Sequence, residues 1–290
     1  MAALEMPENL LTAATQEGRT DWLETLPAAV DDLARRWNLS VGRPFRPGGR
    51  TAWVAPARDA DGSDLVLKLM WRHPEAAHEA DALRLWAGEG AVRLHAVREV
   101  DDHTTALLLE RCRPGHALSG TPEEDQDVVV AGLLRRLWRE PESGHPFRSL
   151  ASMCAEWADE FEAKAAAGGC PLEPAIARRG MDLFRSLPAT SDRALVLCTD
   201  LHAGNVLAAR REPWLVIDPK PYVGDPTYDA LQHILNCPGR LGDDPVGLAR
   251  RMASLAGLDP ERLKLWLLAR CVQESPEWPG LADVARRLRV

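Results

Sequence analysis

The sequence predicts an α+β chain of two lobes, a small β-rich N-terminal lobe over residues 1–112 and a larger, mainly helical C-terminal lobe over residues 113–290. At 290 residues the chain is about twice the ~150 residues usual for one domain. Short, turn-bounded, β-rich segments concentrate before residue 112, whereas helical spacing of apolar residues dominates after it. These two observations predict the fold class.

The first lobe is predicted to begin with an amphipathic helix that Thr20 caps, because apolar residues then recur at helical spacing after an acidic first turn. A later helix has Pro74 near its first turn and ends at Gly88 and Gly90. Between and after these helices, alternating apolar runs indicate strands. The predicted elements are a helix at 20–40, two antiparallel strands within 50–71, a helix at 73–88, and strands at 91–100 and 106–112.

The second lobe follows a Pro- and Gly-containing link, RPGHALSGTPEED, which places the predicted lobe boundary between residues 112 and 118. Helical spacing dominates from Gln126 to about Leu187 and returns at about Pro226. The exception is LVLCTDLHAGNVLAARREPWLVIDPK, where short β-rich runs bracket polar loops. This segment is the expected location of chemistry.

Charge and composition exclude several classes of protein. The chain is 46% hydrophobic and 27% charged, which is typical of a folded globular protein and not of a disordered or collagen-like one. Acidic residues number 43 against 35 basic, giving a net charge of −8, and no polybasic run is present. We therefore expect no nucleic acid partner. The negative balance suits a cationic ligand, although solubility alone explains it equally well.

The first 22 residues lack the basic start and continuous apolar run of a secretion signal. Apolar runs such as 128–134 are far shorter than the roughly 18 residues that suggest a membrane span. We therefore expect a cytoplasmic protein without membrane contact. The six cysteines form no CxxC pair, so we expect reduced thiols packed as small apolar residues.

Three oxygen-bearing side chains stand at a spacing that suits phosphoryl transfer. Asp200 and Asn205 are five residues apart, and Asp218 follows thirteen residues later, after a predicted hairpin. Transfer from a nucleotide needs a carboxylate beside the attacking hydroxyl and oxygen ligands for Mg²⁺. Earlier in the chain, Lys68 is on a predicted strand and Glu79 is on the next helix, where the carboxylate can hold the ammonium toward a phosphate.

This set, together with the string T-D-L-H-x-G-N-V-L, resembles the aminoglycoside phosphotransferases of the protein-kinase-like superfamily. The segments IDPKPYVGDPTYD, EADALRLWAGEGAVRLHA and LARCVQE are similar to those of the streptomycin 6-phosphotransferase and hydroxyurea kinase group. The likeness covers roughly residues 50–274. It implies a protein-kinase-like two-lobed fold and an ATP- and Mg²⁺-dependent kinase that confers antibiotic resistance.

The resemblance also implies roles for individual residues. Asp200 would be either the base or the group that orients the acceptor hydroxyl. Asn205 and Asp218 would be the magnesium ligands, and Lys68 would contact the α- and β-phosphates. Glu79 would hold Lys68. Two further sets of residues would bind the cofactor. Gly48 and Gly49 would let the backbone approach the phosphates. Glu110 and Cys112 would belong to the interlobe hinge, whose backbone would bind adenine.

Four further positions lie in or near the motif. Cys198 stands where many relatives carry His, a difference that concerns packing more than chemistry. For His202 a loop-bracing role is favoured over a catalytic one, and for Asp229 capping of backbone amides is favoured over substrate contact. Lys220 is left open between a γ-phosphate ligand and a surface charge.

The acceptor is predicted to be streptomycin or a related aminoglycoside, phosphorylated at the 6-hydroxyl of the streptidine ring. Hydroxyurea or another metabolite alcohol is the alternative, and a catalytically inactive nucleotide-binding pseudokinase is a third. We expect a monomer or weak dimer. By the resemblance, an acidic pocket for the cationic sugar would include Asp159, Glu160 and Glu274.

Overall fold

A computed structural model of the chain describes residues 4–288. The chain divides into two units, residues 1–115 and 116–290, each with its own core. The division follows Gly115, three residues beyond the end of the predicted first lobe.

Unit 1 contains a five-stranded antiparallel sheet in the order β1-β2-β3-β5-β4. In the centre of this sheet, Lys68 of β3 lies opposite Val54 of β2 on one side and Leu107 of β5 on the other. Alternate residues of β3, such as Leu67 and Leu69, are fully buried in the unit's core. The strands are β1 (Ser40–Val41), β2 (Ala52–Arg58), β3 (Asp64–Trp71), β4 (Leu94–Glu99) and β5 (Thr104–Glu110).

Three helices accompany the sheet: α1 (Glu8–Gln16), α2 (Thr20–Arg36) and α3 (Glu79–Trp86). The predicted order of strand, strand, helix, strand, strand is confirmed, with the two-residue β1 added before it. The sequence analysis did not predict α1, which buries Leu10 in the same core as Trp22 and Trp53.

Two helix starts in unit 1 differ from the prediction. The expected cap at Thr20 is wrong, because Thr20 is the first helical residue and the preceding Arg19 makes no side-chain cap bond. The helix predicted at 73–88 begins only at Glu79, after a short 3₁₀ turn at Pro74–Ala76. A proline at the start of a turn does not require that an α-helix continue from it, since the fixed φ suits either helix.

Unit 2 is mainly helical, and α11 packs against α6, α10 and α12. The side chains of α11 that face these helices, such as Leu267 and Trp266, are fully buried. The helices are α4 (Glu123–Leu137), α5 (Leu150–Ala166), α6 (Pro174–Ser186), α7 (Pro226–Asp229), α8 (Leu231–Leu235), α9 (Pro238–Asp243), α10 (Pro245–Ala256), α11 (Pro260–Glu274) and α12 (Gly280–Leu288).

Two small antiparallel ribbons interrupt these helices where the sequence predicted β-rich runs. One pairs β6 (Leu195–Leu197) with β9 (Tyr222–Gly224), and the other pairs β7 (Val206–Ala208) with β8 (Trp214–Val216). The loop from β6 to β7 carries Asp200 and Asn205, and the loop from β8 to β9 carries Asp218. The ribbons thus bring together loops that are thirteen or more residues apart.

The cysteines are all free thiols, and five of the six are buried, as expected for small apolar residues in a core. Among residues 4–288, no helix has both the length and the apolar stretch that spanning a bilayer requires.

Candidate active site

The Lys68–Glu79 pair forms within unit 1. The Nζ atom of Lys68 donates to both carboxylate oxygens of Glu79, at 2.8 and 2.7 Å. Lys68 is 6% exposed and Glu79 is 1% exposed. Because two buried charges need each other to offset the loss of hydration, this pair sets the direction of the ammonium.

The predicted hinge continues from β5. The backbone N–H of Glu110 donates to the carbonyl oxygen of Arg93, at 2.9 Å. Two residues on, Cys112 is buried. Arg113 forms a bidentate ion pair with Asp64, with both N–O distances 3.2 Å, and this hydrogen bonding lowers the pKa of the Asp64 carboxyl. Because the Glu110 amide donates to Arg93, the residue before β4, it is already engaged in a hydrogen bond within unit 1.

The glycine pair lies in the loop between β1 and β2. Gly48 has φ of +87°, and a Cβ atom there would lie 2.4 Å from the Cβ atom of Pro7. Its carbonyl oxygen accepts from Asn9 Nδ2, at 3.0 Å. Position 48 thus requires glycine for two reasons: its positive φ, and the close approach of Pro7 immediately before α1. At Gly49 the nearest backbone atom to a Cβ is 3.6 Å away.

In unit 2 the loop that carries Asp200 is anchored by Asp229. The Asp229 carboxylate accepts from the backbone N–H of Cys198 at 3.0 Å and of Thr199 at 2.6 Å, and from the Trp138 indole at 3.0 Å. Asp229 is fully buried, and burial raises its pKa to about 6 despite these three donors. Asp229 does bind backbone amides, as favoured by the sequence analysis. These amides belong to the loop thirty residues earlier and not to its own helix, which Asp225 caps.

Cys198 stands two residues before Asp200, at the position for which the resemblance leads us to expect His. Its side chain is fully buried, and burial together with the carboxylates of Asp229 and Asp200 raises the pKa of the thiol well above its usual value. Cys198 is therefore a neutral packing residue. This agrees with the expectation that the change concerns packing.

His202 braces the loop from inside. Its Nδ1 atom accepts from the backbone N–H of Gly204, at 3.1 Å. A Cβ atom at Gly204 would lie 2.7 Å from the Cε1 atom of that ring. Burial lowers the pKa of His202, which favours the neutral ring that this acceptor role needs. The predicted bracing role is confirmed, and it explains why H-x-G occurs within the motif.

The Asp200 carboxylate is held at both oxygens. Asn205 Nδ2 donates to Oδ2 at 3.3 Å and to the Asp200 carbonyl oxygen at 3.0 Å. Gln232 Nε2 donates to Oδ1 at 3.0 Å. The sequence analysis missed Gln232, although its position three residues after Asp229 places both on one face of a helical stretch. The spacing of three residues between Asp229 and Gln232 was the sequence signal that could have identified Gln232.

Asp218 is tied to the same loop through its neighbours. The N–H of Ile217 donates to the carbonyl oxygen of Asn205 and that of Lys220 to the carbonyl oxygen of Cys198, both at 2.9 Å. The Thr199 hydroxyl donates to the Lys220 carbonyl oxygen. Thr199 and Asp218 have φ of +50° and +53°, a region that non-glycine residues rarely adopt. Such strain is typical of functional loops.

Lys220 occupies the Asp218 carboxylate, with Nζ 2.8 Å from Oδ1. The Lys220 side chain is 14% exposed and that of Asp218 is 38% exposed. Lys220 is therefore neither a free surface charge nor fully buried, and its contact to a γ-phosphate stays a prediction.

The donor chemistry of this loop pair fits magnesium. The amide nitrogen of Asn205 faces Asp200, so the amide oxygen of Asn205 faces away from Asp200. The Asp218 carboxylate already binds one cation, the ammonium of Lys220. Amide and carboxylate oxygens are the hard ligands that Mg²⁺ prefers. Asn205 and Asp218 are the residues that would hold the ion.

The three acidic residues predicted for the acceptor do not share one environment. Asp159 pairs with Arg185 at 2.7 Å, and Glu162 pairs with the same arginine. Glu160 and Glu274 instead contribute, with Glu277, to the raised pKa of Lys164, whose largest cause is its hydrogen bond to Glu277. Asp159 thus has different charged neighbours from Glu160, the next residue of α5, and from Glu274 at the end of α11.

Glu274 has an internal partner as well. Arg270, 5% exposed, pairs with Glu274 at 2.8 Å and lies over the Trp157 ring at 4.9 Å. Four residues beyond Glu274, Trp278 is 65% exposed. A cavity of about 560 Å³ in unit 1, between α3 and the ends of β3, β4 and β5, contains none of the predicted site residues.

Comparison with known proteins identifies relatives over most of the chain. Residues 36–279 match the family of aminoglycoside/hydroxyurea antibiotic resistance kinases. The chain is 38% identical to a hydroxyurea phosphotransferase of Kitasatospora aureofaciens over 94% of this chain and 79% of that protein. It is 33% identical to a streptomycin 6-kinase of Streptomyces glaucescens over 94% of this chain and 90% of that one.

Solved structures share the fold. The choline kinase LicA from Streptococcus pneumoniae superimposes with a TM-score of 0.61 at 12% identity, over 91% of this chain and 97% of that one. A thermostable mutant of the aminoglycoside phosphotransferase APH(4)-Ia, in a ternary complex with ADP and hygromycin B, gives a TM-score of 0.54 at 14% identity, over 89% and 95% of the two chains. The predicted protein-kinase-like fold is confirmed.

The matched family model, the two curated relatives and the Asp200–Asn205–Asp218 loops agree, and the chain belongs to the aminoglycoside/hydroxyurea antibiotic resistance kinase family.

Proposed function

We propose that this kinase uses ATP and Mg²⁺ to phosphorylate streptomycin or a related aminoglycoside, at the 6-hydroxyl of the streptidine ring. The observation that carries the proposal is the Asp200 carboxylate, held by two amide donors in a loop that also contains Asn205. The similarity to streptomycin 6-kinases of Streptomyces glaucescens and Streptomyces griseus, each 33% identical, supports the acceptor.

In the proposed reaction Asp200 accepts a hydrogen bond from the acceptor hydroxyl, orients its oxygen toward the phosphorus and takes the proton. Positioned base chemistry contributes about 10²- to 10⁴-fold in rate. Asn205 and Asp218 would hold Mg²⁺, which when bound would supply charge stabilisation to the phosphate oxygens. Lys68, directed by Glu79, contacts the α- and β-phosphates.

The nucleotide's other contacts are proposed from unit 1. The backbone around Gly48 and Gly49 approaches the phosphates, and the hinge binds adenine. The Glu110 amide already donates to the Arg93 carbonyl oxygen, so it is not proposed as a donor to the base.

For the acceptor we propose Glu160 and Glu274 as the carboxylates that face the guanidinium groups of streptidine. Guanidinium and carboxylate match in a bidentate geometry. The exposed indole of Trp278 offers a face on which a guanidinium can stack. Asp159, paired with Arg185, contributes least to this surface.

Hydroxyurea is the second candidate acceptor, and the 38% identity to a hydroxyurea phosphotransferase favours it. Hydroxyurea is small and uncharged at neutral pH, so an acidic surface is not needed for its binding. Binding of streptomycin should therefore depend on Glu160, and binding of hydroxyurea should not.

The deciding experiment incubates the protein with ATP, Mg²⁺ and either streptomycin or hydroxyurea, and detects a product 80 Da heavier by mass spectrometry. We expect phosphorylated streptomycin. Asp200→Asn should reduce kcat by about 10²- to 10⁴-fold while ATP affinity changes little, because the lost group meets the hydroxyl and not the nucleotide. Turnover of neither acceptor, with ATP still bound, would indicate the inactive nucleotide-binding alternative.

Acceptor recognition is tested with a matched pair of variants on α5. Glu160→Gln should raise the KM for streptomycin, and Glu162→Gln, which changes another exposed glutamate of the same helix that is paired with Arg185, should not. The KM for hydroxyurea should be the same in both variants. Equal effects of the two variants on streptomycin would remove Glu160 from the acceptor surface.

A further inference from the structure

We propose that Gln232 is a positioning residue for the Asp200 carboxylate, so that the proposed phosphoryl transfer depends on a side chain from α8 as well as on the catalytic loop. The inference rests on the proposed role of Asp200. It concerns a residue outside the loop motif, 32 positions along the chain.

The contact identifies which end of the Gln232 amide faces Asp200. The amide nitrogen lies 3.0 Å from Asp200 Oδ1. An ionised carboxylate only accepts hydrogen bonds, so the opposite orientation would place two acceptors against each other. Asn205 donates to the other oxygen, Oδ2, at 3.3 Å. Each carboxylate oxygen therefore has its own amide donor.

Two donors on different oxygens restrict a rotation that one donor leaves open. The terminal torsion of an aspartate is broad, so the carboxylate plane turns easily when a single atom is held. With Oδ1 and Oδ2 both held, the plane is fixed, and so are the lone pairs that remain for an acceptor hydroxyl. Catalysis by a general base depends on this alignment.

Gln232 can hold Asp200 in a fixed position because its helix, α8, is itself held in place through the next residue, His233. The neighbouring His233 is 1% exposed, and its Nε2 atom lies 2.9 Å from Asp127 Oδ1. Asp127 is fully buried and also accepts from Arg240 at 2.8 Å and Arg251 at 2.7 Å. This network, with Asp127 and His233 buried at its centre, holds α8 to α4, α9 and α10.

The same network explains why these residues are not a metal centre. Asp127, His233 and Cys237 place potential ligand atoms within 4.8 Å of one another. The carboxylate, however, already binds two guanidinium groups, and a further cation would meet their repulsion. Burial raises the pKa of the Cys237 thiol to about 11, which disfavours the thiolate that a metal requires.

The first test separates hydrogen bonding from shape. Gln232→Met keeps the length of the side chain and removes the donor, while Gln232→Glu keeps the shape and places a second carboxylate against Asp200. We expect kcat to fall about 10- to 100-fold in Gln232→Met and further in Gln232→Glu, with the KM values for ATP and acceptor within twofold of the parent.

Gln126 supplies the matched control. It is 6% exposed and donates to the Thr121 carbonyl oxygen at 2.7 Å, so Gln126→Met also removes a buried amide donor. Its kcat should equal that of the parent. A residue that merely filled space at position 232 would tolerate the isosteric Glu better than Met; that order, or a loss confined to KM, would overturn the proposal.

A second readout is independent of turnover. The side-chain amide resonance of Gln232, assigned by its loss in Gln232→Met, should shift in Asp200→Asn, while that of Gln126 should not. An unshifted Gln232 resonance would overturn the contact, even in an active enzyme. If the parent phosphorylates no acceptor but the resonance shifts, the contact stands and the proposed function fails. Gln232→Met serves here only to assign the resonance, and the comparison itself is between the parent and Asp200→Asn, without any measurement of turnover.

Discussion

The two lysine–carboxylate pairs of this protein differ in how they are built. Lys68 and Glu79 come from a central strand and a helix, and their side chains are 8% and 1% exposed. Lys220 and Asp218 are two residues apart in one loop, and their side chains are 14% and 38% exposed. Lys68 donates to both carboxylate oxygens of Glu79, and Lys220 donates to Oδ1 of Asp218.

The difference in exposure indicates which carboxylate a cation from solvent can approach. Glu79 is enclosed with its lysine, so the pair acts as one fixed unit that directs an ammonium. The Asp218 carboxylate is accessible to solvent. It is paired with the ammonium of Lys220, and it is also the carboxylate proposed to bind Mg²⁺. A buried pair is costly to break, and an accessible one contributes little to stability.

Breaking the buried pair should have the largest effect. Lys68→Met leaves the Glu79 charge buried without its lysine, which should lower the free energy of unfolding by about 3–5 kcal/mol, measured by urea denaturation of the full chain. The double variant Lys68→Met with Glu79→Leu should recover much of that loss but none of the turnover. A single variant as stable as the parent would contradict the comparison.

Asp127 extends the comparison to a second buried carboxylate. Burial by itself would raise the pKa of Asp127, but hydrogen bonds from His233, Arg240 and Arg251 hold it well below the usual value of 3.8. A depressed carboxyl pKa stabilises the fold above the unfolded pKa, and this stabilisation is lost as pH falls below about 4.

Asp127→Asn should therefore destabilise the protein by about 3 kcal/mol at pH 7 and reduce the fall in stability below about pH 4. The measurement is the free energy of unfolding between pH 2.5 and 7. Asp61→Asn, which changes an exposed carboxylate in the turn between β2 and β3, is the control and should leave the curve unchanged in shape. An unaltered acid limb in Asp127→Asn would contradict the assigned network.

The accessible pair should give the smallest change in stability. Lys220→Met should alter the free energy of unfolding by about 1 kcal/mol or less. By removing the ammonium that competes for Asp218, it should tighten Mn²⁺ binding about fivefold, measured by calorimetry or electron paramagnetic resonance without nucleotide. Lys264→Met, which changes a lysine paired with Glu261 on α11, is the control. Weaker Mn²⁺ binding in Lys220→Met would show that the lysine does not compete with the ion.

The sequence was sufficient for features that depend on neighbouring residues. Asp200, Asn205 and His202 lie within one short loop, where the spacing itself limits the geometry. Lys68 and Glu79 are joined by a strand and a helix of predictable period. Helix starts were less predictable, as Thr20 and Pro74 show, because turn and helix share their first dihedral angles.

Tertiary structure alone decided how distant residues meet. Gln232 and Asp229 reach the Asp200 loop from 30 or more residues away, and only the packing of α7 and α8 brings them there. Asp159 and Glu160 are adjacent in sequence, yet they have different neighbours because successive residues of a helix point about 100° apart. The sequence by itself therefore determined the fold class and the parts of the candidate site, and tertiary packing determined which side chains hold those parts in place.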